Sequence, residues 1–154
     1  MRSLRPFLFL ALAASSPAFA FNYVGATCLK EGGGTLDINF GGQIENTGST
    51  TLNVVCPVIV ENPFSLPTDK RVWVTDLSQT TQVCCSWRVK SAGSSYQSGG
   101  NDCTPVGDSS PDYMELDPDY LLPITSNGAR YLYCSIPPDS GTGKNEIRSF
   151  TWDY

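Results

Sequence analysis

Histidine is missing from the sequence, which has none among its 154 residues. Histidine is the usual general base near neutral pH, and it is the base in Ser-His and Cys-His nucleophile pairs. It is also the commonest metal ligand. The enzyme chemistry that stays open is glycoside hydrolysis by two carboxylates, for which the chain has 15 acidic residues. We therefore expect a protein without enzymatic activity, catalytic residues or a cofactor.

Positive charge and long apolar runs are also scarce. The chain has 10 lysines and arginines against 15 acids, whereas nucleic-acid binding relies on basic patches that meet phosphates. The apolar run at residues 7–14 is shorter than the roughly 20 apolar residues that a transmembrane helix needs. We expect neither nucleic acid as a partner nor insertion into a membrane.

The first 20 residues have the order of a secretory signal peptide. Arg2 and Arg5 precede the apolar run, and the small-residue tripeptide AFA ends at Ala20. Cleavage after Ala20 would leave residues 21–154 as a single domain, with eight basic and 15 acidic residues and a formal charge of −7. We expect this product to be secreted or periplasmic.

Six cysteines lie beyond the signal peptide, and no two of them have CxxC spacing: Cys28, Cys56, Cys84, Cys85, Cys103 and Cys134. An even number of cysteines in an exported chain is typical of a disulfide framework. A redox or metal site is the alternative, which the absence of histidine and of a CxxC pair disfavours.

Cys84 and Cys85 are adjacent in the stretch QVCCSWRV, which alternates like a β-strand. Neighbouring side chains of a strand point to opposite faces, so the two cysteines should have different partners. Cys85 shares the apolar face and should form a bond inside the sandwich. Cys84 shares the polar face and should close a surface loop with Cys103. A bond between Cys84 and Cys85 themselves would require a distorted peptide.

The remaining four cysteines allow three connectivities. Cys56 and Cys134 each lie on the apolar face of a long alternating run, which favours a Cys56–Cys134 bond. The other bond would then join Cys28 to Cys85.

Short alternating runs separated by Gly, Pro, Ser, Asn and Asp fill most of the chain. The period of two predicts about seven to nine strands, including a short one at residues 114–116. One of these runs places Leu36, Ile38 and Phe40 on a common apolar face. Because no crossover helices separate the runs, we predict an all-β, antiparallel two-sheet sandwich of the jelly-roll or immunoglobulin-like kind.

Aromatic side chains supply the candidate binding residues. Tyr131, Tyr133, Trp73 and Trp152 fall on strand faces opposite the inferred core, and flat rings can stack on sugars or anchor a partner. We select Tyr131, Tyr133 and Trp73 as the candidates for ligand stacking. Packing is the alternative role, since aromatic residues are common in strands.

The segment 101–120 is acidic and contains no lysine or arginine. Oxygen-rich loops can hold calcium, but the spacing does not match the regular calcium-loop signature. A solvated acidic loop is therefore the favoured interpretation. If calcium does bind, its candidate ligands are Asp112, Glu115, Asp117 and Asp119.

Four segments, in order, resemble a family of small secreted bacterial proteins with no known activity: GATC, GGQIENTGSTTLNVVCPV, VWVTDLSQTTQVCCSW and ARYLYCSIPPDSGTGKNEIRSFTWDY. The family pattern has a cysteine, then Cys-Pro, then a Val-x-Val-x-Asp strand with a following cysteine, then Tyr-x-x-Cys-x-Ile-Pro-Pro and a closing strand. The resemblance implies export and a β-sandwich, and it implies no activity. Cys84 and Cys103 are additions to this pattern.

Three classes of function follow, in decreasing order of support. The first is a secreted, non-enzymatic module that binds carbohydrate or a surface protein. The second is a subunit or accessory of an extracellular assembly. The third is a glycoside hydrolase that uses carboxylates alone, which would need two carboxylates facing each other across a cleft.

Overall fold

The computed structural model describes residues 20–58, 69–90, 96–107, 114–117, 128–139 and 144–153. They contain twelve strands and one 3₁₀ turn at Gly25–Thr27. The strands are β1 Ala20–Val24, β2 Leu29–Gly33, β3 Leu36–Ile38, β4 Ile44–Asn46, β5 Leu52–Pro57, β6 Asp69–Thr75, β7 Cys84–Lys90, β8 Tyr96–Ser98, β9 Asp102–Cys103, β10 Met114–Leu116, β11 Ala129–Ile136 and β12 Glu146–Asp153. The predicted signal peptide lies outside this description except for its last residue, Ala20.

The strands form two antiparallel sheets, as predicted. Sheet A has the order β10–β6–β12–β4–β3, and β1 also pairs with β12. Sheet B has the order β2–β5–β11–β7–β8, and β9 also pairs with β7. The strands outnumber the expected count of about seven to nine because β1, β2, β4, β8 and β9 fall in stretches where apolar and polar residues do not alternate clearly. Across the described ranges, no helix is long and apolar enough to cross a membrane.

The hydrophobic core lies between the two sheets. Val72 and Val74 of β6 and Leu132 of β11 are fully buried. Trp87 of sheet B meets Trp152 of sheet A edge to face, with ring centroids 4.8 Å apart. Because residues 72 and 74 point inward, the residue between them points to the outer surface of sheet A.

A β-bulge in β12 changes which of its residues face the core. The pairing of β12 with β6 shifts register between Ile147 and Ser149. Ile147, Phe150 and Trp152 are consequently all fully buried, although a strict period of two from Ile147 puts the last two on the opposite face. The expected position of Trp152 on an outer face was therefore wrong.

All three disulfides cross-link neighbouring strands of sheet B. They are Cys28–Cys56, which joins the residue before β2 to β5, Cys84–Cys103, which joins β7 to β9, and Cys85–Cys134, which joins β7 to β11. Cys84 is half-buried and Cys85 is buried. The two adjacent cysteines therefore diverge, and Cys84 has the partner that alternation predicts.

The favoured pairing of the other four cysteines was wrong. The register of β11 places Cys134 directly opposite Cys85, whereas Cys56 lies opposite Leu132. Cys56 and Cys134 are thus offset by two residues on adjacent strands. A bond from Cys28 to Cys85 is not formed because β5 and β11 lie between β2, which follows Cys28, and β7, which carries Cys85.

Candidate ligand-binding groove

Trp73 lies on the outer face of sheet A and is half-buried. Its position follows from the two buried valines beside it in β6, because side chains alternate across a strand. In the sheet register, Trp73 is opposite Ser149 of β12 on one side and Glu115 of β10 on the other. The sheet thus presents a partly solvent-exposed indole near its middle.

A shallow groove of about 360 Å³ adjoins this indole and is lined by Asn22, Trp73, Arg148 and Ser149. These residues come from three neighbouring strands, β1, β6 and β12. The groove combines a flat apolar ring with an amide, a hydroxyl and a guanidinium. Ligand sites typically pair apolar surface with a few polar groups in this way.

Strand pairing identifies the residues that continue this surface beyond the groove. Ser149 is paired with Trp73 on one side and with Val24 of β1 on the other, so the three residues form one row across the sheet. Val24 is 49% exposed. The row therefore has an apolar side chain at each end and a hydroxyl between them.

Arg148, at the β-bulge, is held by two neighbours. Its Nε donates a hydrogen bond to Oγ1 of Thr75 at 2.9 Å and lies 3.7 Å from Oε2 of Glu146. Burial raises the pKa of the Glu146 carboxyl, and Arg148 opposes that rise. These contacts fix the guanidinium where it lines the groove.

Glu45 and Glu146 are directly opposite each other on β4 and β12. Glu45 is only 2% exposed. Its Oε1 accepts a hydrogen bond from Nδ2 of Asn39 at 2.9 Å, and its Oε2 forms an ion pair with Nζ of Lys144. The two carboxylates stand side by side on one sheet rather than across a cleft, and neither lines the groove. Glu45 therefore has a structural role, in which it links β4 to Asn39 and Lys144.

Tyr131 and Tyr133 lie on the outer face of sheet B, so the whole sandwich separates them from Trp73. Both tyrosines are half-buried. The guanidinium carbon of Arg88 lies 3.4 Å from the centroid of the Tyr133 ring and covers one of its faces. The three stacking candidates thus do not form one site, and Trp73 is the one that adjoins the groove.

Two of the four calcium candidates, Glu115 and Asp117, are described, and both form ion pairs. Nε of Arg71 lies 2.5 Å from the Glu115 carboxylate, and Nζ of Lys70 lies 3.1 Å from the Asp117 carboxylate. The other two, Asp112 and Asp119, fall outside the described residues. In the part of the chain that the structure describes, no three acidic or cysteine side chains are grouped to hold a metal ion.

Asn22, Arg148 and Ser149 were not among the candidates from the sequence. Asn22 reaches the groove because β1 pairs with the second half of β12, and pairing between segments so far apart leaves no local pattern. The bulge that positions Arg148 is equally invisible to a period of two. The one sequence signal that pointed to the groove was a tryptophan, Trp73, between two valines of an alternating run.

No protein-family model matches the chain, and no curated protein matches it either. Among solved structures, it is similar to a family two carbohydrate esterase from Cellvibrio japonicus, with a TM-score of 0.45 and 9% sequence identity. The match covers 89% of this chain and 33% of that one, so the chain spans about a third of the length of the protein it matches. A functional conclusion therefore depends on the residues of this chain.

Proposed function

We propose that the protein is an exported, non-enzymatic module that binds carbohydrate in the groove on sheet A. The observation that carries this proposal is the partly exposed Trp73 in a groove that Asn22 and Ser149 also line. A sugar ring has an apolar face of C–H groups and a rim of hydroxyls. The face packs against an indole, and the rim exchanges hydrogen bonds with amides and hydroxyls.

Export is supported by the three disulfides, which persist in oxidising compartments. It also agrees with the signal peptide expected from the sequence. A rigid, cross-linked sandwich is a suitable support for a binding face that must work outside the cell.

Binding without hydrolysis is supported by the state of three carboxylates near the groove, of which Glu115, opposite Trp73, forms an ion pair with Arg71. A glycosidase needs one carboxylic acid and one carboxylate on the two sides of the scissile bond. Glu45 is buried with both oxygens engaged by Asn39 and Lys144. Glu146 stands beside it on the same sheet.

The test begins with a glycan array of the wild-type protein, followed by titration of each bound glycan into wild type and Trp73→Ala. Tryptophan residues dominate binding hot spots, so we expect affinity to fall at least about tenfold. Trp87 and Trp152 are buried, so a fluorescence change on binding should come from Trp73. Trp73→Phe, which keeps a flat ring, should retain part of the affinity.

Tyr131→Ala is the matched control, because Tyr131 is also half-buried but lies on the opposite sheet. It should leave the affinity unchanged. Undiminished binding by Trp73→Ala, or loss of binding in Tyr131→Ala, would reject the groove as the site. Release of shortened glycan from wild-type protein would show that the non-enzymatic part of the proposal is wrong.

A further inference from the structure

Phe40 is fully solvent-exposed, with a relative accessibility of 114%. Alternation with Leu36 and Ile38 predicts it on the apolar face of a strand. Instead β3 ends at Ile38, and Phe40 stands in the turn that leads to β4. A fully exposed phenylalanine contributes no buried area to folding, so its ring is available for contact with a ligand.

The turn that carries Phe40 is held by hydrogen bonds on both sides of it. Oδ1 of Asn39 accepts from the backbone N–H groups of Gly41 and Gln43 at 2.9 and 3.1 Å. The backbone N–H of Asn39 also donates a hydrogen bond to the carbonyl oxygen of Gln43, and its carbonyl oxygen accepts one from the N–H of Gly42. Gly42 has a φ of +73°, which favours glycine. The ring is therefore displayed from a preorganised turn, which lowers the entropy lost on binding.

This turn adjoins the end of the row that begins at Trp73. The carbonyl oxygen of Gly42 accepts a hydrogen bond from the backbone N–H of Ala26 at 2.7 Å. A Cβ on Gly42 would lie 3.7 Å from Cβ of Val24, and Val24 shares the row with Ser149 and Trp73. The turn that carries the exposed Phe40 thus lies next to the surface that continues the groove.

We propose that Phe40 is a second stacking position for the same ligand, and that this ligand is a neutral polysaccharide chain rather than a single terminal sugar. This inference rests on the proposed carbohydrate-binding function. Adjacent strands are roughly 4.8 Å apart, which puts Trp73 and Val24, two strands apart, about 10 Å from each other. The turn that carries Phe40 lies beside Val24, so a single sugar ring is too short to reach from Trp73 to that turn, whereas a chain of several sugars is long enough.

The neutral character of the ligand follows from the charges beside the groove. Arg148 lies beside Glu146, and Arg71 forms an ion pair with Glu115. Each of these cations already has a carboxylate next to it, so the ligand need not supply one. Affinity should accordingly change little between low and high salt, because screening weakens charge–charge attraction.

The experiment measures affinity for disaccharides, tetrasaccharides and hexasaccharides of β-linked glucose and of β-linked mannose. Wild type, Phe40→Ala and Trp73→Ala are compared by calorimetry. Wild type should bind the hexasaccharide at least about tenfold more tightly than the disaccharide, because two linked contacts reinforce each other. Phe40→Ala should remove that gain and leave disaccharide binding as it was. Trp73→Ala should weaken binding at every length.

Phe40→Ala should fold normally, since the side chain is fully exposed, and an unchanged urea midpoint would verify this. If Phe40→Ala binds every length like wild type, or weakens all lengths equally, Phe40 is not a chain-length subsite, and the groove proposal stands by itself. If wild type binds none of these sugars, the neutral-chain inference fails. Binding of other glycans on the array would still support the proposed function in that case.

Discussion

The two sheets of the sandwich are held together differently. Sheet B contains all three disulfides, and each joins strands that are neighbours in that sheet. Sheet A contains none, and the candidate groove lies on its outer face. The covalent cross-links therefore reinforce the sheet opposite the groove, while the groove-bearing sheet depends on packing and polar contacts.

The outer faces of the two sheets also differ in what lies against their aromatic rings. On sheet B, Arg88 covers a face of the Tyr133 ring, whereas on sheet A, Trp73 borders an open groove. Both aromatics occupy outward positions of a central strand. What lies against each ring comes from neighbouring strands, so whether an aromatic ring is open to a ligand cannot be judged from its own strand alone.

Removing the Cys85–Cys134 bond tests how far the stability of the molecule depends on the cross-links of sheet B. Its sulfurs are buried in the core and it closes a separation of 49 residues. Cys85→Ala with Cys134→Ala should lower the free energy of unfolding by about 2–5 kcal/mol, measured by urea denaturation. Glycan affinity in the absence of urea should be unchanged, because the groove is on the other sheet.

The control is Cys84→Ala with Cys103→Ala, which opens the shorter separation of 19 residues. Both of these cysteines are half-buried. This variant should lose less stability than the core variant. An equal loss of unfolding free energy in both variants would contradict the division of roles between the sheets. So would a loss of glycan affinity in either variant in the absence of urea.

Local geometry explains which features of the fold were predictable. The inward position of Val72 and Val74 and the divergence of Cys84 from Cys85 follow from a period of two. The partner of Cys134 does not, because it depends on the register between strands far apart in the chain. A two-residue offset on adjacent strands was enough to make the favoured Cys56–Cys134 bond wrong.

The candidate site was less predictable than the fold for the same reason. Trp73 could be selected because its outward position is a local property. Asn22 and Arg148 join it only through the pairing of β1 with β12 and through the bulge in β12. Phe40 was misplaced because alternation does not reveal where a strand ends, although Asn39 and two glycines after Phe40 are residues typical of turns.

Polar contacts of the buried Glu45 link segments of sheet A, whereas disulfides link segments of sheet B. Glu45 ties β4 to Asn39 of the preceding turn and to Lys144, just before β12. The hydrogen bond to Glu45 raises the pKa of the Lys144 ammonium group, because the carboxylate stabilises the charged form of the lysine. Glu45→Gln should lower the free energy of unfolding by about 1.5–3 kcal/mol, the range for hydrogen bonds to charged groups.

Asp37→Asn is the matched control for Glu45→Gln, because Asp37 is paired with Glu45 in the sheet but is exposed. It should change the urea midpoint little. If Glu45→Gln is as stable as wild type, the contacts of the buried carboxylate with Asn39 and Lys144 do not stabilise sheet A. Its presence beside Glu146 would then call for a functional explanation.

Replacing Glu146 should produce the smallest effect of these substitutions, a change in how the free energy of unfolding depends on pH. Burial raises the pKa of its carboxyl above the ordinary value of 4.5, with Arg148 opposing that rise and Glu45 adding to it. The folded protein therefore binds this proton more tightly than the unfolded chain does. Between the ordinary pKa and the raised one, the free energy of unfolding should fall as pH rises.

Glu146→Gln removes this titration, so the variant should lack the contribution to the slope that wild type has in that pH window. The measurement is urea denaturation of both proteins across a pH series. Because Thr75 still accepts the hydrogen bond from Arg148, the groove should keep its shape and glycan affinity should change little. An identical pH slope in the two proteins would mean that other carboxyl groups set the acid response, and that the Glu146 carboxyl of sheet A does not contribute to the pH dependence of stability.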